Sequence, residues 1–451
     1  MIARSIHGSA DFTAALAALR DRGESDFSRV EPVVRAILDD VKKEGDAAVI
    51  RHVERLEKRT PKPLFRRDFG GEAALARLPK DAREALEYAV KRITRFHERE
   101  RTEMFSGAGF RYEDDGVMLG LRARPLAKVG VYAPGGKARY PSSVLMSAAP
   151  ARVAGVSEIV LATPLAGDAS DDGVLAAAHL SGVTAVVDAG GAQAIGALAF
   201  GTATVPRVDK IVGPGNAYVA CAKRLVYGAV AIDSIAGPSE ILVVADRTAD
   251  PAIVAADLLS QAEHDEDAYP LLVCLDEAFV ARVDAELESQ LSDLPRAAIA
   301  REALRRNGRA FVVEGRAALA QVADDLAPEH LALHVESPEE MASEIRNAGA
   351  VFLGALTPEA AGDYVAGPSH VLPTGGVVRF GSPLGVHDFV ARTSLIRYSA
   401  AALRRDEQAI GVLARLEGLE AHARAVGIRT RGAQPPCAEA DGGRSKNESR
   451  S

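Results

Sequence analysis

Short apolar segments alternate with alanine-rich helical patterns from Val129 onward, and this alternation constrains the fold more than any other feature. Apolar runs of this length are typical of buried strands. Two series are predicted, the first at residues 129–132, 159–162, 185–187 and 210–212, and the second at 241–245, 271–275, 310–313, 331–335 and 350–353. Strands separated by helices form βαβ units whose strands run parallel. The sequence therefore predicts an α/β fold with mostly parallel sheets.

The segments outside these strands divide the chain further. Residues 26–100 show apolar positions every three or four residues, which predicts helices, and residues 399–425 become helical again. The turn at 236–239 is a plausible boundary between two α/β units. We expect an N-terminal extension (1–25), a helical segment packing with the second α/β domain (26–128), the first α/β domain (129–236), the second α/β domain (237–383), a C-terminal helical segment (384–431) and a disordered tail (432–451).

Composition excludes several classes of protein. The chain has 451 residues and a net charge of -8, and no basic stretch is available to neutralise nucleic-acid phosphates. No segment has the run of about 20 apolar residues that a membrane span needs, and the N-terminus lacks the apolar stretch of a signal peptide. The three cysteines lie far apart, which argues against a disulfide framework. A soluble, cytoplasmic protein that binds neither nucleic acid nor membrane is expected.

Glycine-rich turns follow several of the predicted strands. They are Tyr132-Ala133-Pro134-Gly135-Gly136, Gly190-Gly191-Ala192-Gln193-Ala194-Ile195, Gly213-Pro214-Gly215-Asn216 and Ala236-Gly237-Pro238-Ser239-Glu240. Glycine lets backbone N–H groups approach a phosphate or sugar closely, and ligands of α/β sheets gather at the carboxyl ends of strands. The dinucleotide fingerprint GxGxxG does not follow the first strand, so each turn alone is weak evidence for a ligand-binding site. Four in succession favour a nucleotide-like ligand.

Histidine and carboxylate pairs form the other candidate sites. Gln261 and His264 lie three apart near the end of a helix, where they could share one face and bind a metal ion, or simply terminate the helix. Glu329 and His330 precede a strand, and such a pair suits proton transfer near neutral pH, although a loop carboxylate and a structural histidine would look the same.

Two further segments add polar side chains. Asp363 and His370 flank a glycine-containing turn, whereas Glu417 and His422 lie five apart in a helical region and would not share a face. Together the segments offer Gln261, His264, Asp363 and His422 as mixed nitrogen and oxygen ligands for zinc, manganese or cobalt. His330, His370 and His387 could replace any of them.

A cysteine nucleophile is a further candidate for covalent catalysis. Cys221 lies inside a helical pattern, and no histidine is near it in sequence. A buried thiol without a catalytic role is the preferred interpretation.

The motifs together resemble the histidinol dehydrogenase family. The matching segments are VGVYAPGG from Val129, YPSSVLM from Tyr140, GGAQAIGALAFGT from Gly190, VDKIVGPGNAYVA from Val208, AGPSEILVVAD from Ala236, DLLSQAEH from Asp257, APEHLAL from Ala327, GDYVAGPSHVLPTGG from Gly362 and EGLEAHARAV from Glu417. They occur in family order. The resemblance implies two incomplete Rossmann-like α/β domains with smaller helical extensions, in an arrangement like that of the aldehyde dehydrogenases.

The resemblance also implies roles for individual residues. It implies one zinc ion per subunit, held by the ligands Gln261, His264, Asp363 and His422. Tyr132, Gln193 and Asn216 match NAD-binding positions. Ser239, His330, His370 and Glu417 match substrate-binding positions, along with the zinc ligands. Glu329 and His330 match the catalytic pair, and the chain is expected to be a homodimer in which His422 and Glu417 reach the partner's site.

The activity implied is the last step of histidine biosynthesis. L-histidinol would be oxidised through bound L-histidinal to L-histidine with two NAD, His330 acting as general base and Glu329 activating water. This mechanism leaves no role for Cys221. Alternatives are a family relative that oxidises another small alcohol, a zinc hydrolase in which Glu329 activates water, and a non-catalytic protein that keeps the fold.

Overall fold

The computed structural model describes residues 2–23, 27–61, 63–105, 109–135 and 139–432. Gly136 of the first glycine-rich turn, Cys437 and the predicted tail beyond residue 432 lie outside the described residues. Contacts within the chain define two compact units. The first comprises residues 1–105 and 125–391, and the second comprises residues 106–124 and 392–451.

The strands of the described residues are numbered in chain order. They are β1 (Ala3–Ile6), β2 (Phe65–Arg66), β3 (Gly109–Asp114), β4 (Val117–Pro125), β5 (Lys128–Tyr132), β6 (Glu158–Ala162), β7 (Ala185–Val187), β8 (Lys210–Val212), β9 (Ala231–Ile232), β10 (Glu240–Ala245), β11 (Tyr269–Cys274), β12 (Arg309–Val312), β13 (His330–His334), β14 (Ala350–Leu353) and β15 (Val390–Tyr398). Every strand predicted from the sequence is present, with ends that shift by at most two residues.

The α-helices are numbered in the same way. They are α1 (Ala10–Arg20), α2 (Glu31–Glu44), α3 (Asp46–Glu57), α4 (Gly71–Arg77), α5 (Lys80–Phe105), α6 (Pro141–Ala154), α7 (Asp172–Ser181), α8 (Gly191–Phe200), α9 (Ala217–Val226), α10 (Pro251–Ala262), α11 (Glu277–Leu291), α12 (Ala297–Asn307), α13 (Arg316–Leu326), α14 (Pro338–Glu344), α15 (Glu359–Tyr364), α16 (Ala400–Leu416) and α17 (Glu420–Gly432). Of these, none combines the length and apolar character needed to cross a bilayer.

Two sheets form the frame of the first unit. One has the order β2-β7-β6-β5-β8-β9 and is parallel except for the pairing of β2 with β7. The other has the order β1-β12-β11-β10-β13-β14 and is parallel throughout. In both, the first long strand lies at the centre and the chain later crosses to its other side, which is the doubly wound order of Rossmann-like sheets. The predicted fold class is confirmed.

The N-terminal helices cover the sheet that contains β5. Helices α2 and α3 pack on α8, α4 packs on α7, and α5 packs on α6. The apolar face of α2 carries Val34, Ile37, Leu38 and Val41, which share a core with side chains of α8. Burying each contributes roughly 1.5–3 kcal/mol. The prediction that residues 26–128 pack with the second α/β domain is therefore wrong, because periodicity shows that a helix has an apolar face but not which sheet it covers.

The second unit contains a sheet and a helical hairpin. The sheet has the order β15-β4-β3, and β3 pairs antiparallel with β4 across Asp115 and Gly116, both of which have positive φ. Such a two-residue Asp-Gly turn is a strong hairpin signal that the sequence prediction missed. Most side chains of β3 and β15 are exposed, so these strands lack the apolar run that marks a buried strand. Helices α16 and α17 pack on each other.

Candidate functional site

The catalytic pair predicted from the sequence lies at the amino ends of two central strands. His330 is the first residue of β13 and pairs in register with Ile241 of β10, so Glu329 lies opposite Glu240. Glu240, Glu329 and His330 are all buried. Because ligands of doubly wound sheets usually bind at carboxyl ends, this placement departs from the general rule.

His330 is oriented by a backbone carbonyl. Its Nδ1 lies 2.8 Å from the carbonyl oxygen of Glu240, and since a carbonyl can only accept, Nδ1 carries the proton. Nε2 then has a free lone pair and, within the described part of the chain, no hydrogen-bond partner, although it lies 3.9 Å from Asp363 Oδ1. Burial lowers the pKa of His330, partly opposed by the charge of Asp363. The ring is therefore neutral near pH 7 and available as a base.

Glu329 is buried, and other carboxylates lie near it. Its Oε2 accepts a hydrogen bond from the N–H of Glu240 at 2.9 Å and lies 3.6 Å from His330 Nδ1. Burial, together with the charge of Glu240, raises its pKa well above the ordinary value. A carboxyl group with a raised pKa is suited to proton transfer near neutral pH.

His330 belongs to a group of side chains that could hold a metal ion. One ligand atom each of His330, Glu359 and Asp363 lie within 4.8 Å of one another. With its amide nitrogen turned toward the acceptors, Gln261 donates to Glu359 Oε1 and to the Glu240 carbonyl, both at 2.9 Å. Its amide oxygen is then left for another ligand. These nitrogen and oxygen donors fit a divalent transition metal.

His264 and His370 lie near this group. His264 follows the end of α10 and is exposed. It therefore lies outside the regular helix on which it was expected to share a face with Gln261. Its charge is close enough to contribute to lowering the pKa of His330 and His370, for which burial is the main cause. His370 Nδ1 lies 3.0 Å from the carbonyl oxygen of Asp363. Ser239 directly precedes Glu240, and its carbonyl accepts from the N–H of Tyr269 at 2.9 Å.

The remaining predicted residues of this set belong to the second unit. Glu417 terminates α16, and His422 lies in the first turns of α17; both are exposed. Gly418, with φ of 74°, separates the two helices. The sequence interpretation that placed them on one helical stretch is therefore wrong, because the glycine adopts a left-handed conformation that ends α16.

His387, considered as a substitute ligand, is engaged elsewhere. Its Nδ1 lies 3.3 Å from Glu100 Oε1, and its Nε2 lies 3.3 Å from Asp388 Oδ2. Glu100 also contacts His97 at 2.7 Å. His387 is therefore part of a separate polar cluster.

Two residues of the site were not predicted. Glu240 is the last residue of the turn that begins at Ala236, and Glu359 lies four positions before Asp363 on α15. A carboxylate that begins an otherwise apolar strand is unusual, since acidic side chains are almost never buried without a partner. That signal could have identified Glu240. The spacing of Glu359 and Asp363 could have identified the second, because it places both on one helix face.

The first three glycine-rich turns lie at or just beyond the carboxyl ends of β5, β7 and β8, whereas the fourth leads into β10. The N–H of Gly191 donates to Tyr132 Oη at 3.0 Å. Burial raises the pKa of Tyr132 to about 12, so its hydroxyl stays protonated. A Cβ on Gly213, whose φ is 112°, would lie 2.1 Å from the carbonyl oxygen of Tyr132. Only glycine allows this approach.

The predicted cofactor-binding side chains differ in their surroundings. Gln193 is buried; its Nε2 donates to Glu57 Oε1 at 3.2 Å, while its Oε1 has no partner among the residues described. An unpaired buried acceptor is costly unless a ligand satisfies it. Asn216 is exposed and caps α9 by accepting from the N–H groups of Tyr218 and Val219. Its amide group therefore has a structural role in the absence of any ligand.

Cys221 is buried within α9. Burial raises the pKa of its thiol, so the reactive thiolate is disfavoured. This agrees with the interpretation of Cys221 as a thiol without a catalytic role.

Comparisons with known proteins agree on one family. A sequence model described as histidinol dehydrogenase matches residues 20–430. Histidinol dehydrogenase of Geobacter metallireducens is 49% identical over 425 residues, covering 94% of this chain and 97% of that protein. That of Geobacter sulfurreducens is 50% identical over 422 residues, covering 93% and 97%. A crystal structure of histidinol dehydrogenase from Elizabethkingia anophelis matches with a TM-score of 0.87 at 35% identity, covering 95% of this chain and 98% of that one.

Proposed function

This chain belongs to the histidinol dehydrogenase family of oxidoreductases, and we propose that it oxidises L-histidinol through bound L-histidinal to L-histidine with two molecules of NAD. The observation that carries the proposal is the buried pair of Glu329 and His330 beside Asp363. A neutral imidazole with a free Nε2 can accept the proton of an alcohol. A neighbouring carboxyl group of raised pKa is a stronger base once ionised, and in that form it can accept a proton from the water needed for the second oxidation.

We propose zinc as the metal, held by Gln261, His264 and Asp363 of one subunit and by the partner subunit's His422. The clustering of Gln261 and Asp363 around His330 supports this set. Glu359 is the alternative oxygen ligand in the same place. When bound, zinc would hold the substrate through its amino and imidazole nitrogens as a template.

We propose that Tyr132, Gln193 and Asn216 hold NAD at the glycine-rich turns. The unpaired amide oxygen of Gln193 supports this, because a hydroxyl or amide donor of a ligand would satisfy it. Bound NAD would supply the hydride acceptor for both oxidations.

The protein's own residues then divide the proton transfers. His330 takes the hydroxyl proton of L-histidinol at Nε2 as hydride leaves the carbinol carbon. Glu329 takes a proton from the water that adds to the aldehyde, and the hydrate loses the second hydride. Ser239, His370 and the partner subunit's Glu417 hold the substrate. Because the aldehyde stays bound, side reactions of this reactive intermediate are avoided.

A homodimer completes this proposal. Helices α16 and α17 expose Leu413, Leu416 and Ile428, with exposed fractions of 61%, 79% and 70%. Large apolar side chains exposed on neighbouring helices are candidates for a protein–protein interface. We propose that this surface packs against a second copy of the chain, which brings Glu417 and His422 to the partner's site.

The test measures how many molecules of NADH form for each histidinol consumed. The purified, zinc-loaded protein is incubated with L-histidinol and excess NAD, and the NADH formed is compared with the histidinol consumed. We expect about two NADH per histidinol, because a four-electron oxidation needs two hydride acceptors. Chelation should abolish turnover and zinc should restore it. One NADH per histidinol would contradict the second oxidation, and none would favour another alcohol or a zinc hydrolase.

A further inference from the structure

We propose that Arg22 and Glu240 form a buried ion pair that positions the catalytic residues Glu329 and His330. This inference rests on the proposed function, because it assigns Arg22 and Glu240 a role in that reaction. Neither residue belongs to the predicted catalytic, metal-binding or substrate-binding sets. Arg22 comes from the N-terminal segment just after α1, more than two hundred positions from its partner in sequence.

The ion pair is bidentate and excluded from water. Arg22 Nε donates to Glu240 Oε1 at 2.8 Å, and Arg22 Nη2 donates to Glu240 Oε2 at 2.6 Å. The side chains are 2% and 1% exposed. A two-point contact of this kind fixes both the position and the plane of the carboxylate.

Additional hydrogen bonds complete the surroundings of both side chains. The Arg22 guanidinium donates to the carbonyl of Leu19 at 2.5 Å and to that of Ala327 at 3.3 Å. Glu240 Oε1 also accepts from the N–H of Gly375 at 2.7 Å. A buried charge pair is tolerated when its remaining donors and acceptors are satisfied in this way.

The backbone of Glu240 holds both catalytic side chains. Its N–H donates to Glu329 Oε2 at 2.9 Å, and its carbonyl accepts from His330 Nδ1 at 2.8 Å. In return, Glu240 Oε2 accepts from the N–H of Glu329 at 3.3 Å. A shift of Glu240 would therefore move the carboxylate of Glu329 and the ring of His330 together.

Arg22 also reaches the segment that leads into the catalytic pair. Ala327 has a φ of 46°, a left-handed conformation that is unfavourable for a residue with a Cβ. Such a conformation persists only where the surrounding contacts hold it. The hydrogen bond from Arg22 to the Ala327 carbonyl is one of these contacts, two residues before Glu329.

Charge gives the second reason for Arg22. Without a cation, the carboxylate of Glu240 would face Glu329 in a buried environment, and two such groups repel each other. The guanidinium of Arg22 compensates the negative charge of Glu240, whose backbone positions Glu329. Lysine would preserve the charge but not the planar two-point contact.

The first test is Arg22→Lys in the full-length, zinc-loaded protein. We expect kcat to fall by about 10- to 100-fold, because small displacements of catalytic groups reduce rates to this extent. The KM values for histidinol and NAD should change by no more than about twofold, since Arg22 is buried against Glu240 and is not among the proposed ligand-binding residues. Zinc content should match that of the unmodified protein.

Arg77→Lys is the matched control. Arg77 also makes a bidentate contact, with Asp172, but this contact joins helices α4 and α7, and the Arg77 side chain is 55% exposed. Its kcat should be unchanged. A loss of kcat shared by both variants would overturn the proposal, because it would reflect a general effect of replacing arginine.

A second pair of variants separates positioning from folding. Arg22→Met leaves the Glu240 carboxylate unpaired, so it is expected to lower the melting temperature. Adding Glu240→Gln removes that charge and should recover much of the stability while kcat stays low. Recovery of kcat together with stability would overturn the proposal, as would normal kcat in Arg22→Lys or a loss explained by KM or zinc content. An unmodified protein that makes no NADH would instead contradict the proposed function itself.

Discussion

At the scale of single residues, burial decides the chemistry of the candidate site. His330 and Glu329 are both buried, and burial moves their pKa values in opposite directions: that of the histidine falls and that of the carboxyl group rises. Each shift disfavours the charged form. The hydrogen bond to the Glu240 carbonyl then fixes which ring nitrogen of His330 can act as a base.

The first prediction at this scale is made for His330→Gln. Glutamine keeps a polar side chain of similar length but cannot accept a proton, so kcat should fall by about two to four orders of magnitude. Zinc, measured by atomic absorption, should remain bound, because His330 is not among the proposed ligands. Cys221→Ala is the control and should retain most activity. Near-normal turnover of His330→Gln would contradict its assignment as the base, and an inactive Cys221→Ala would favour a thiol mechanism.

At the scale of secondary-structure elements, the proposed cofactor and catalytic residues lie at opposite ends of the strands in the two sheets. The proposed cofactor residues lie at or just beyond the carboxyl ends of β5, β7 and β8, whereas Glu240 and His330 begin β10 and β13. Another polar cluster lies where two elements of the first unit meet. It joins α5 to the short 3₁₀ helix Val386–Phe389 through Glu100, which accepts from the N–H of Val386 and contacts His97 and His387.

This connection should make stability depend on pH. Burial would raise the pKa of Glu100, but hydrogen bonds from His387, His97 and the Val386 N–H outweigh it and lower that pKa to about 2. The hydrogen bond with Glu100 raises the pKa of His387 above 6.5. Because the pKa of Glu100 is lowered, its ionised carboxylate stabilises the fold above pH 4.5, and this stabilisation is lost as the pH falls toward 2. Because the pKa of His387 is raised, its protonated ring stabilises the fold below pH 6.5, and this stabilisation is lost as the pH rises through the pKa of His387 in the folded protein.

The measurement compares His387→Gln with the unmodified protein in thermal unfolding across pH. The difference in melting temperature should be largest between pH 4.5 and 6.5 and should shrink at alkaline pH. His179→Gln is a suitable control, because His179 lies on α7 in another part of the first unit. A difference that does not vary with pH would show that the contact between His387 and Glu100 contributes no charge-dependent stability.

At the scale of the whole molecule, the first unit holds most of the proposed site. Gln261, Asp363 and His330 come together there, whereas Glu417 and His422 lie in the second unit and are exposed. The proposed homodimer gives those two residues a role, because a symmetric dimer would present them to a neighbouring copy.

Mixing two inactive variants tests this arrangement. His422→Ala and His330→Ala protomers should each be inactive as homodimers. In a heterodimer, one of the two sites would combine an intact His330 with the partner's intact His422, so activity should return to about half that of the unmodified dimer. Native mass spectrometry would verify the mixed dimers. If verified heterodimers stay inactive, the sites are not shared between subunits.

Much of the fold and part of the site could be predicted from local patterns. The buried strands were found because parallel strands covered on both faces form continuous apolar runs. Strands β3 and β15 were missed because their side chains are largely exposed, and β4 was missed because only two of its nine residues are buried. Glu329 and His330 were found as neighbours in sequence, but Glu240 and Arg22, which contact them or their surroundings, were not.

The sequence by itself determined the strand and helix series, the glycine-rich turns and the family to which the chain belongs, because these depend on residue types at short, regular spacings. Only the tertiary structure decided which sheet the N-terminal helices cover, and that Arg22, Glu240 and Glu329 meet in one buried network. The physical reason is that parallel strands bring distant segments together through long crossovers. Local spacing carries no record of those contacts, whereas hydrogen bonding and burial in the folded chain fix them.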